Sequence, residues 1–92
     1  MAELRMDVGA MQSVSSQMMT SHELIFNEVT KVRALLEANI GNNWIGPGAD
    51  QFKNDFNNWG TGILQTLDNM HQLVCRLENE ISEWESTGQN IS

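Results

Sequence analysis

The feature that most restricts this chain is a seam of residues spaced alternately four and three apart: Leu4, Val8, Met11, Ser15, Met18, His22, Ile25, Val29, Val32 and Leu36. Only Ser15 and His22 are polar in it. A strand would alternate every second residue, so this spacing predicts a helix with one apolar side, packed in the manner of a coiled coil. Val14, Leu35 and Ile40 widen the stripe. At ~1.5 Å per residue a helix over about residues 4–40 is on the order of 50 Å long, too long to form one wall of a spherical monomer.

The seam stops at Gly41-Asn42-Asn43-Trp44-Ile45-Gly46-Pro47-Gly48. Glycine supplies positive φ angles and asparagine tolerates them, so a turn is expected over about residues 41–47. Gly41 suits the position just past a helix end, Pro47 the first turn of the next helix, and Asp50 its positive dipole end. A second seam then runs through Phe52, Phe56, Trp59, Ile63, Leu67, Met70, Val74, Leu77, Ile81 and Trp84, again in fours and threes. It predicts a helix over about residues 48–87, with a short polar tail after Thr87-Gly88. Two consecutive fours around Ile63 resemble a stutter, which unwinds a supercoil locally. Nearby, Gly60 and Gly62 each cost the helix about 1 kcal/mol unless a neighbouring helix needs the room they leave.

A turn this short between two long helices folds them back antiparallel. The expected fold is all-α, a single domain over residues 1–92 built as a helix-turn-helix hairpin. Two helices with stripes this broad cannot cover both flanks by touching each other, and an exposed apolar band marks an interface. Two hairpins dimerising into an elongated four-helix bundle would cover it. Residues expected in hairpin or dimer packing are Met11, Met18, Ile25, Val29, Val32, Leu36, Phe52, Phe56, Trp59, Ile63, Leu67 and Met70. A chain of 92 residues sits near the lower edge of what one core stabilises alone, which also favours a partner.

Composition removes several classes of function. Twelve acidic residues against five basic give a net charge of −7, which repels nucleic-acid phosphates and anionic lipid. No apolar stretch approaches the ~18 residues that cross a bilayer, so membrane insertion is not expected. The N-terminal residues have no continuous apolar core of a signal peptide, which implies synthesis in the cytoplasm. Neither helix combines a basic polar face with an apolar one, as a membrane-lytic peptide does. The one cysteine, Cys75, forms no internal disulfide and reads as a small packed side chain.

The turn carries the most specific signal. Trp44-Ile45-Gly46 is followed by Ala49, Phe52, Phe56 and Trp59 at helical spacing. An indole at this position can fold back over the end of a helix pair, and Gly46 lets the backbone pass close to the ring. A Trp-x-Gly turn midway between two heptad-patterned helices, in a chain of this length, resembles the WXG superfamily of ESAT-like type VII secretion proteins. The resemblance spans the whole chain. It implies a dimeric helical hairpin acting as a substrate, component or chaperone-like partner of a type VII system, secreted or brought to the cell surface. It implies pairing with itself, or with a second WXG-type protein, and recognition by the secretion ATPase through Trp44 and Gly46. Members often carry Tyr-x-x-x-Asp/Glu after the second helix. This sequence has no tyrosine; Trp84 stands in about the right place, but its fourth follower is Gly88.

Other residues read more plainly. His22 and His71 approach each other once the chain folds about Trp44, but a metal site wants three or four ligands, so neither metal nor cofactor is expected. His22 in the seam fixes register instead. Glu78, Glu80, Glu83 and Glu85 scatter over several helix faces and read, with Arg76, as a solvated surface; Arg33 and Glu37 read as a weak ion pair. The methionines on the seams are core filler. No nucleophile constellation or phosphate loop is present, and a two-helix hairpin offers no deep pocket, so catalysis is not expected. The competing reading is an intracellular coiled-coil adaptor in which Trp-x-Gly is coincidental.

Overall fold

The computed structural model describes residues 4–87. They form two helices, α1 (Val8–Asn39) and α2 (Pro47–Thr87), joined by a short turn. Partners across the pair fall in number on α2 as they rise on α1. Gln12 meets Glu85, Ser15 meets Glu78 and His22 meets His71, then Arg33 meets Gly60 and Glu37 meets Lys53. The fold is therefore all-α, an antiparallel helix-turn-helix hairpin.

α1 begins at Val8, four residues after the seam does, because Asp7 caps it. The Asp7 side chain accepts from Ala10 N–H at 3.0 Å, and its carbonyl accepts from Met11 N–H at 3.0 Å, satisfying two of the N–H groups that a helix start leaves unpaired. Leu4 lies ahead of the cap and is 84% exposed. Gly46 opens α2, its carbonyl accepting from Ala49 and Asp50 N–H, with Pro47 at the first helical position and Asp50 in the first turn.

Apart from Ala49 in the first turn of α2, the buried residues repeat at multiples of seven: Val8, Ser15 and Val29 on α1, and Gly60, Leu67, Val74 and Ile81 on α2. One position of each heptad thus makes the contact between the helices. The other apolar position is only partly covered: Met11, Met18, Ile63, Met70, Leu77 and Trp84 are half-buried, and Ile25 and Val32 are exposed. α2 runs unbroken through Gly60 and Gly62. At Gly60 the neighbouring helix does use the room: a Cβ there would stand 2.8 Å from Arg33 Nη2. At Gly62 nothing lies within 4 Å.

The chain divides into two compact units. The terminal unit comprises Met1–His22 and Asn69–Ser92, and the turn unit comprises Glu23–Asp68. No helix among the described residues is long and apolar enough to cross a membrane.

Candidate functional site

The turn is shaped by two backbone angles. Gly41 has φ +93° and Gly46 φ +144°, and no other described residue has positive φ. Side chains strain such angles. Nothing stands within 4 Å of where either Cβ would be, so Gly46 is required for its dihedral and not, as the sequence suggested, for clearance under the indole. The glycine beneath the ring is Gly48, whose Cβ would lie 3.6 Å from Trp44 Cζ2.

The asparagines of the turn keep ordinary φ and work differently from expectation, by capping. Asn39 Nδ2 donates to Leu35 O at 2.8 Å, and Asn42 Nδ2 donates to Ala38 O at 2.9 Å. Asn39 O accepts from the N–H groups of Asn42, Asn43 and Trp44, and Gly41 N–H closes the loop onto Trp44 O at 2.9 Å. The carbonyls of Leu35, Ala38 and Asn39 at the end of α1 thereby gain donors without glycine at every step.

This backbone presents Trp44 half-exposed. Its ring leans on Phe52, centroids 5.8 Å apart and tilted by 50°, so the indole lies along the start of α2 with its outer side open. Ile45 beside it is 77% exposed. Of the large apolar residues that remain exposed, all but Leu4, Val14 and Leu73 fall in the turn unit: Leu24, Ile25, Phe26, Val32, Leu35, Trp44, Ile45, Phe52 and Trp59. Phe56 and Trp59 stack with centroids 5.5 Å apart. With Glu28, Val29 and Val32 they line a shallow cleft of about 150 Å³ on the turn unit.

The expected packing residues therefore separate by role. Val29 and Leu67 are buried between the helices. Met11, Met18, Leu36, Phe56, Ile63 and Met70 are half-buried, while Ile25, Val32, Phe52 and Trp59 are largely open. Leu24 and Phe26 add apolar surface that the heptad reading missed, since they sit one residue either side of Ile25 and carry no periodic signal of their own.

The terminal unit is more polar inside. Ser15, 4% exposed, donates to Glu78 Oε1 at 3.2 Å, and Gln12 Nε2 donates to Glu85 Oε1 at 3.1 Å. These two glutamates reach across to α1 and are not simply a solvated face. They lie on an open cleft of about 510 Å³ with Ser16, Ile81 and Ser82. Cys75 corrects its sequence reading as well: it is exposed, a free thiol 3.7 Å from His71 Nε2. Arg33 does not pair with Glu37, which faces Lys53 at 3.9 Å. Its guanidinium covers Gly60 and its Nε is buried without an acceptor. Among the described residues no group of three His, Cys, Asp or Glu side chains is arranged to hold a metal ion. Trp84 is half-buried near the end of α2, its carbonyl accepting from Thr87 Oγ1 at 3.0 Å. Gly88 and the tail lie outside the described residues.

Two antiparallel helices, an aromatic turn held by glycine and asparagine, and unpaired apolar surface next to it define a class of small helical hairpins. The family model WXG100, proteins of 100 residues with WXG, matches residues 3–89. The chain belongs to the WXG100 family, ESAT-like small helical proteins associated with type VII secretion. Comparison with curated proteins and with solved structures gives no match.

Proposed function

We propose that this protein is a substrate or component of a type VII secretion system and works as a dimer, a second hairpin covering the apolar surface of its turn unit. The observation that carries the reading is the concentration of exposed apolar side chains around Val32, Phe56 and Trp59. A large apolar side chain gains roughly 1.5–3 kcal/mol on full burial, so each half-exposed one still has about half of that to gain. Several acting together offset the cost of association. Membership of a family whose members typically pair supports the same conclusion.

The preferred partner is a second copy of this chain; a paired WXG-type protein is the alternative. Trp44, with Ile45 and the backbone fixed by Gly46, is the surface offered to the secretion ATPase, and its exposure supports that role. Trp84 takes the place of the aromatic residue in the tail signal. The protein is exported through the type VII system, and its work there is binding, not catalysis. Replacing Trp44 with Arg tests the reading. The open side of the ring accepts the change at small cost to the hairpin, so the variant is expected to stay dimeric and to lose export. Normal export of a dimeric Trp44→Arg protein would contradict the recognition role.

A further inference from the structure

The chain has two histidines, and the fold brings them together. His22 on α1 and His71 on α2 face each other in the terminal unit, ring centroids 6.1 Å apart and tilted by 55°. His22 is half-buried in the same heptad position as the buried Val8, Ser15 and Val29, so it is part of the contact between the helices. Imidazole is the side chain whose charge ordinarily changes between pH 5 and 8.

We propose that this pair is a proton-sensitive contact: the neutral rings pack and hold α1 to α2 in the terminal unit, and the doubly protonated rings repel and loosen it. The rings are close together and sit on opposing helices, where repulsion acts to separate the helices. The ionisable groups near the pair in sequence are of both signs: Glu23 follows His22 on α1; on α2, Asp68 precedes His71 by three residues, Cys75 follows it by four with its Sγ 3.7 Å from Nε2, Arg76 follows by five, and Glu78 stands one heptad on, bound by Ser15. The turn unit, Glu23–Asp68, contains no histidine and has no such response. Mild acid therefore acts selectively on the unit that carries Trp84. The inference does not depend on the secretion reading.

The test is a double-mutant cycle on the full chain with His22→Asn, His71→Asn and the double variant. Thermal midpoints are measured by far-UV circular dichroism at pH 8 and pH 5.5, at one protein concentration. The cycle removes whatever the carboxylates do to each ring singly and leaves the term between the rings. At pH 8 the pair term is expected to be neutral or favourable. At pH 5.5 it becomes unfavourable, with the pair costing about 3–5 °C in midpoint beyond additivity, from two unit charges at this distance in near-aqueous surroundings. Substitutions whose effects add equally at both pH values would overturn the proposal.

Discussion

Gly46→Ala isolates the cost of one backbone angle. The residue sits at φ +144°, a region populated almost only by glycine. Because nothing lies within 4 Å of its would-be Cβ, the substitution creates no clash, and the whole penalty is dihedral strain of about 1–3 kcal/mol. In a domain of this size that lowers the thermal midpoint by roughly 5–20 °C. Gly62→Ala is the matched control. It is also free of contacts within 4 Å but lies inside α2, where alanine is favoured over glycine by about 1 kcal/mol, so its midpoint should rise. The assay is thermal unfolding followed at 222 nm, with all proteins at one concentration because association makes the midpoint concentration-dependent. Two identical chemical changes should move stability in opposite directions. Gly46→Ala as stable as the parent, or Gly62→Ala destabilised as much as Gly46→Ala, would refute the assignment of Gly46 to a strained angle.

Asp7→Ala removes the cap of α1 and should cost about 1 kcal/mol, read as a lower denaturant midpoint with the slope unchanged. Leu67→Ala, at a side chain only 4% exposed between the helices, should cost about 2–5 kcal/mol. Trp59→Ala, at a ring 55% exposed, should leave the hairpin helical while weakening self-association, as seen by size-exclusion chromatography over a dilution series.

Much of the fold is written in the heptads. Steps of four and three specify two helices whatever surrounds them, and the glycines and Pro47 mark where the chain must turn. The pattern does not say how deeply each seam position is buried. Met11 and Val32 occupy equivalent places on α1, yet one is half-buried and the other open: this heptad position lies at the edge of what a single opposing helix covers, and its cover varies along the hairpin. The helix start at Val8 is likewise decided by Asp7, a cap that the seam overruns in the sequence. At the site, Trp44 and Gly46 are legible as a pair, but the reason for Gly46 is not: glycine looks the same in a sequence whether it relieves a clash or a dihedral angle. Long polar side chains are harder still. Arg33 and Glu37 have the spacing of an ion pair, and only the seat left by Gly60 and the position of Lys53 explain why they part.

The account turns on whether the apolar surface beside the turn needs a second chain. Sedimentation equilibrium of the purified protein at micromolar concentration measures this directly. A helical species of twice the 10.4 kDa chain mass, dissociating on dilution in the Trp59→Ala variant before it does in the parent, is the predicted result. A fully helical, concentration-independent species of 10.4 kDa would contradict it.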